Sequence, residues 1–358
     1  MDMFITHNSA LEYWRLHGSG SMHDILDKRQ RKKAVPTKLP GIEGLRQLGS
    51  LELSVPVDVS VSTSGARRLS RMIRSHVIGE SLPEGSIVSL RNNLYVSSPE
   101  LCFLQMASRM SLIKLVELGF ELCGNYSLPG QGTQYDSASR ATATDPVTTA
   151  MATTTPTTAD TPVAVGNEQG FYGRLPLTNV KRLTAFLASM PGAYGVNTAC
   201  KAVQFIAENS ASPMETILTM LLTLPYRHGG YGLPMPLLNA TVKPARSARQ
   251  NVNQETFICD LLWQKHNLAA EYDSDTYHTG SVRIARDSRR RNSLTSIGVT
   301  VITVTNQNVQ YRAEFARVAR QLASKMGKQL RTERNPNFTE AQIELRRLLL
   351  PQRATIGN

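Results

Sequence analysis

Cysteine is scarce and scattered in this chain. Its four copies, Cys102, Cys123, Cys200 and Cys259, stand far apart, and no two form a Cys-x-x-Cys pair. That spacing argues against a zinc site and against a disulfide framework. No apolar run approaches the roughly 18 residues of a membrane span. The opening residues, MDMFITHNSALEYWR, lack the charged-then-apolar plan of a secretory leader. The expectation is a cytoplasmic protein with reduced thiols. Acids are short as well: 28 Asp and Glu face 40 Lys and Arg, a formal net charge of +12. Such an excess favours a polyanionic partner, nucleic acid first and an anionic membrane surface second, although a generically basic protein shows the same balance. What is present is ordinary. At 358 residues and 41% apolar content, the chain can hold two domains with proper cores.

Residues 1–45 read as an N-terminal helix and basic segment. A helix-like stretch from Ala10 to Leu16 precedes Lys28, Arg29, Arg31, Lys32 and Lys33, and Pro36 and Pro40 end the run. This run is either a solvated segment or a phosphate-contacting arm. Residues 46–130 read as a small α+β domain. The alternation Leu51, Leu53, Val55, Val57, Val59, Val61 predicts a half-buried strand. Arg67, Arg68, Arg71 and Arg74 recur at helical spacing and predict one basic stripe. Ser86 to Val96 predicts a second β stretch with a hairpin turn at Arg91-Asn92-Asn93, because Asn tolerates the positive φ of tight turns. Ser98 and Pro99 mark a helix start, and a further helix runs from Leu112 to Gly119.

Residues 131–170 read as a linker. Ala141 to Val165 is almost entirely Thr, Ala, Pro and Asp, too poor in apolar surface to offset its ordering entropy, which predicts disorder. A helical connector follows over 171–211, with helices at Asn179–Met190 and Thr198–Glu208. Over 212–330 the order is a helix capped by Ser212-Pro213, a Gly-rich turn (Gly229, Gly230, Gly232) and a strand around Pro236 to Val242. Two further strands form a hairpin. An Arg-rich helix over Ser281–Ile297 closed by Gly298, a β-branched strand Val299–Thr305 and a helix Val309–Met326 complete it. Helix, three strands, helix, strand, helix is an α/β layout around a small mixed sheet. Residues 331–358 are left as a C-terminal tail.

The hairpin carries the chemistry. FICDLLW and LAAEYD are separated by Gln264, Lys265, His266 and Asn267. If those four residues form the loop, Trp263 pairs with Leu268 and Asp260 falls opposite Glu271. Glu271 and Asp273 share a face, ~7 Å apart along the strand. Three carboxylates on an apolar hairpin need compensation, because burying unpaired charge is costly. A metal ion supplies it; so would an ion pair from Asp260 to Arg286 or Arg290. Glu215 suits the positive end of its helix whether or not it has a further role. His278 is an exposed-loop histidine or, with its near-neutral pKa, a general acid or base.

Four segments resemble the PD-(D/E)XK, or restriction-endonuclease-like, proteins. They are SPMETIL (212–218), ICDLLW (258–263), AEYDSDTYH (270–278) and DSRRRNSLTSIGVTVITVTNQNV (287–309), in which Asp287, Arg290, Leu294 and Gly298 follow the family spacing. The match is to the branch related to very-short-patch repair endonucleases. RSHVIGESLPEGSIVSLRNNLYVSSPELCFLQMA (74–107) is similar to the AbiEi antitoxin-like regions that precede such domains. The resemblance implies a restriction-endonuclease-like core and hydrolysis of DNA phosphodiester bonds with Mg²⁺ or Mn²⁺. Asp260 and Glu271 would be metal ligands, and Asp273 a ligand directly or through water. Glu215 would orient a ligand water, His278 would move a proton, and Arg286 and Arg290 would contact phosphates, as would Arg67, Arg71 and Arg74 in the N-terminal domain. Asp273 stands where many relatives carry Lys, and Ser274 where this branch carries Gly. The alternative is a non-catalytic DNA-binding regulator, or an antitoxin-like protein with a toxin or other protein partner, that keeps the scaffold. A protein-interaction module is a third reading.

Overall fold

Strand-forming residues concentrate in two regions of the chain, and each region builds its own sheet. The computed structural model describes residues 2–18, 22–29, 34–39, 48–67, 71–79, 82–129, 171–243, 256–273 and 293–350. The expected linker, 131–170, lies outside them. Two compact units emerge: Met1–Cys102 with Tyr126–Leu175, and Phe103–Asn125 with Pro176–Asn358. The architecture is mixed α/β.

The first unit holds β1 (Met3–Ile5), β2 (Val57–Val61), β3 (Ile73–Val77), β4 (Ile87–Ser89) and β5 (Leu94–Ser97) in the order β3-β2-β1-β5-β4, and a separate pair, β6 (Tyr126–Ser127) with β7 (Phe171–Tyr172). Val57, Val59 and Val61 are buried on one face of β2, as period-two alternation requires. The helix His7–His17 places Trp14 so that its indole N–H donates to the Ser97 carbonyl at 2.8 Å. The β4–β5 turn uses Asn92 and Asn93 at φ 57° and 58°, the left-handed pair that a tight hairpin needs.

Three expectations fail here for physical reasons. The strand predicted from Leu51 begins only at Val57. Leu51 closes a 3-10 turn, Glu52 is left-handed at φ 53°, and Pro56 has no N–H for a ladder. The arginine stripe is not helical. Arg74 lies in β3, where the period is two, Arg67 is extended beyond the turn Ser64–Ala66, and Arg71 sits in a bend. Arg29 is not a phosphate arm. Its guanidinium donates to both oxygens of buried Glu100 at 3.0 and 2.8 Å. Arg31, Lys32 and Lys33 lie outside the described residues.

The second unit is built on β8 (Leu237–Val242), β9 (Phe257–Trp263), β10 (Leu268–Asp273) and β11 (Thr300–Thr305), in the order β11-β10-β9-β8. β8, β9 and β10 form an antiparallel meander, and β11 returns parallel to β10. A parallel return needs a crossover of a dozen or more residues, which 274–299 supplies. Only a short helical turn at 293–296 belongs to the described part of the predicted Arg-rich helix. Phe257, Cys259, Leu262, Ala269, Leu294 and Val299 form a core cluster at this sheet.

Helix boundaries also move. The predicted stop at Gly119 is passed: the helix runs Leu112–Leu122. Gly119 is there for space, since a Cβ would come within 2.0 Å of Ile206 Cδ1. The helix predicted over Thr198–Glu208 spans Val196–Val203. The single helix predicted over Val309–Met326 is two, Asn306–Gln310 and Arg312–Lys325, broken at Tyr311. Arg346 satisfies the carbonyls freed at the break, donating to Val309 and Gln310. That arginine belongs to a helix, Phe338–Leu349, within the segment set aside as a tail. Phe338 packs edge-on against Tyr226 and Tyr231.

Candidate active site on the second sheet

Register brings the acids together. The β9–β10 connection is the expected four residues, a 3-10 turn Gln264–His266 closed by left-handed Asn267. The ladder pairs Trp263 with Leu268, Leu262 with Ala269 and Leu261 with Ala270. The paired positions end there, and the same register carried one step further would set Asp260 opposite Glu271. On the next strand, Leu238 pairs with Leu261 and Ala240 with Cys259, so Asn239 also stands opposite Asp260. β11 places Thr303 beside Glu271. On that register Asn239, Asp260, Glu271 and Thr303 would share one face as a row across four strands, of which the Glu271–Thr303 pair is in the ladder. Opposite residues of an antiparallel pair hold their Cβ atoms about 4.5–5.5 Å apart. On that register Asp260 would neighbour Glu271, and its carboxylate does reach the N–H of the next residue, Tyr272.

The row is held by hydrogen bonds. Asp260 Oδ2 accepts the backbone N–H of Tyr272 at 2.8 Å, which fixes the carboxylate on the sheet. Above the row stands Glu215, in the first turn of the helix Pro213–Thr223. Its Oε1 accepts the Ser212 hydroxyl at 3.0 Å. Its Oε2 accepts the Ala211 N–H at 2.8 Å and the Asn239 amide at 2.6 Å. Asn239 also donates to the Asn209 carbonyl at 2.8 Å, and its backbone is left-handed (φ 47°) in mid-strand. Asn visits that conformation more readily than most residues.

Burial pushes the Glu215 carboxyl above the usual carboxylate range. Hydrogen bonds from Ala211 and Asn239 oppose the rise, the nearby Asp260 charge adds to it, and Ser212 opposes it. A raised folded-state pKa favours the protonated acid, so this contribution to stability is present below the unfolded-state pKa and is lost as pH rises through the folded one. Glu215→Gln in metal-free buffer should therefore gain stability relative to the wild type as pH rises from the ordinary carboxylate range toward neutrality. Urea midpoints across that range measure it, and a pH-independent difference would contradict the burial-and-repulsion account.

Not all the expected residues join the row. Asp273 lies two residues on, opposite Thr305 at the exposed end of β10, where burial and then the Asp273 charge raise the Tyr272 hydroxyl pKa. Among the described residues, no group of three or more His, Cys, Asp and Glu is placed to hold a metal ion. The three-acid set expected from the sequence thus narrows to the opposed pair, Asp260 and Glu271. His278, Arg286 and Arg290 lie outside the described residues. Arg67, Arg71 and Arg74 belong to the first unit. Sequence reasoning missed Asn239 and Thr303. An Asn inside the apolar strand LLNATV was a usable signal, since strands are depleted in Asn; Thr303 in a β-branched run gave none.

Two proteins of Mycobacterium tuberculosis are similar to this chain. They are the uncharacterized protein MT2308 of strain CDC 1551 and the uncharacterized protein Rv2248 of strain H37Rv, each 26% identical over 137 residues. The alignment takes in 38% of this chain and 45% of each relative, so the chain spans less than half the length of the curated relatives it matches. No protein-family model matches the chain, and no solved structure does. No helix among the described residues is long and apolar enough to cross a membrane.

Proposed function

We propose that the second unit is a metal-dependent nuclease that hydrolyses phosphodiester bonds in DNA, working in the cytoplasm. The observation that carries this reading is the Asp260 carboxylate bonded to the Tyr272 N–H beside Glu271, close enough to Glu215 for its charge to be felt there. The element order supports the restriction-endonuclease-like resemblance. A capped helix leads into three antiparallel strands, and a crossover into a parallel fourth strand and a helix. The net charge of +12 suits a polyanionic substrate.

The donor set fits a hard divalent cation. Such ions take carboxylate oxygens and keep several waters, so two opposed carboxylates suffice. Glu215 is already repelled by Asp260, and positive charge near Asp260 relieves that repulsion. Asp260 and Glu271 would hold Mg²⁺ or Mn²⁺, which when bound polarises a phosphodiester oxygen and lowers the pKa of an attacking water. Both oxygens of Glu215 are engaged by Ser212, Ala211 and Asn239, which suits a group that orients water better than a direct ligand. Asp273, at the exposed strand end, would act through water. His278 would carry the proton at the leaving oxygen, and Arg286 and Arg290 would hold flanking phosphates.

The full-length chain should cut plasmid or oligonucleotide DNA with Mg²⁺ or Mn²⁺ and stop in EDTA. A folded protein that cuts no form of nucleic acid under any divalent cation would reject the reading. Salt-dependent DNA binding without cleavage would instead favour the regulator that keeps the scaffold.

A further inference from the structure

Positive charge gathers on the last two helices of the second unit, away from the carboxylates. On the helices Arg312–Lys325 and Phe338–Leu349, Arg317 pairs with Glu314 and Arg347 with Glu344, each at 2.7 Å. The other three arginines of these helices, Arg312, Arg320 and Arg346, have no acid partner among the described residues. Their charges converge instead on one buried group, the Tyr231 hydroxyl, and all three are felt there. Arg346 is 8% exposed, and Gln342, one turn before it on the same helix, is 2% exposed. Arg346 Nη2 donates to the carbonyls of Val309 and Gln310. Its Nη1 is buried without a partner, and so is the amide nitrogen of Gln342. The guanidinium carbon lies 5.9 Å from the centroid of the Phe315 ring, which offsets part of the charge.

Buried donors in folded proteins are nearly always bonded, and a buried cation without a counter-charge is costly. A water accepts from the two nitrogens but brings no charge, so three guanidinium groups stay uncompensated. Burial holds the Arg346 guanidinium below its usual pKa. The Tyr231 hydroxyl opposes that and the Arg312 charge adds to it, so the like charges are close enough to repel. An anion removes the repulsion. Its class follows from where the reachable arginines stand. Arg312 and Arg320 are exposed and about two turns apart, ~12 Å along one helix. That span suits a polymer of phosphates, one every ~3.4 Å of axis per strand, better than a single ion. A guanidinium fork also matches phosphate oxygens in pairs.

We infer that Arg312 and Arg320, backed by the buried charge of Arg346, form a contact surface for the phosphodiester backbone of nucleic acid. The surface needs neither the carboxylates nor a metal, so it stands apart from the cleavage reading. Binding of a short duplex oligonucleotide to the full-length chain, followed by fluorescence anisotropy in EDTA over a series of chloride concentrations, tests it. Without a divalent cation no cleavage intervenes, and failure of the nuclease reading leaves the measurement intact. Arg312→Gln with Arg320→Gln, both at exposed positions, should weaken binding on the order of tenfold. The slope of log affinity against log salt should fall by about two. Lys38→Gln with Arg91→Gln removes the same charge from exposed positions of the first unit and should change affinity less than about twofold. Inorganic phosphate should displace the oligonucleotide no better than chloride at equal ionic strength. Saturable displacement by phosphate would assign the surface to a free ion and overturn the inference. So would a wild type that binds no oligonucleotide, a helix variant with the wild-type slope, or an equal loss in the first-unit variant.

Discussion

Asp260→Asn should lower Mg²⁺-dependent DNA cleavage by on the order of 10³-fold, equivalent to ~4 kcal/mol of transition-state stabilisation. The substitution preserves shape, and the amide oxygen can still accept the Tyr272 N–H that the carboxylate now takes. What it removes is charge at the centre of the row, and with it most of the affinity for a divalent cation. Glu271→Gln should behave alike if Glu271 is the second ligand of the proposed ion. Loss of activity through misfolding is separable. Neutralising Asp260 also relieves its repulsion of Glu215, and the metal-free unfolding midpoint of the variant reports folding apart from activity. Cleavage by Asp260→Asn at the wild-type rate would remove the residue from the chemistry.

Gly229→Ala should cost about 3 kcal/mol or more of stability, through overpacking and left-handed strain together. Gly229 has φ 82°, and a Cβ there would lie 2.3 Å from the carbonyl oxygen of Ala341 and 2.5 Å from its carbon. Those are backbone atoms of the helix Phe338–Leu349, which cannot rotate aside as a side-chain tip can. The helix would have to lift, and with it Phe338 from Tyr226 and Tyr231 and Arg346 from the carbonyls of Val309 and Gln310. A lowered urea midpoint with altered tyrosine fluorescence is the expected signature. An unchanged midpoint would mean that the contact is relaxed at no cost.

Local chemistry made the second sheet readable from the residues alone. The four-residue loop and the Trp263–Leu268 pair follow from period-two alternation and a turn ended by Asn, which accepts a left-handed backbone. The caps at Ser98 and Ser212 were legible for the same reason, since each side chain bonds a backbone N–H three residues on. The missed features depend on partners distant in sequence. Gly119 resembles a helix stop until Ile206 is known to lie against it, and nothing local announces that Arg346 will close the break at Tyr311. The arginine series 67–74 has helical spacing, yet pairing of β3 with β2 imposes the strand period instead. At the site, acid types and register were visible, but the bond from Asn239 to Glu215 joins a strand to a helix cap 24 residues away.

The most direct test of the carboxylate row is a Mn²⁺ titration of the full-length chain, by calorimetry or electron paramagnetic resonance, alongside Asp260→Asn with Glu271→Gln. One Mn²⁺ bound per wild-type chain, lost in the double variant together with DNA cleavage, is the predicted result. Binding and cleavage that persist in a folded double variant, or a wild type that binds no Mn²⁺ at all, would contradict it.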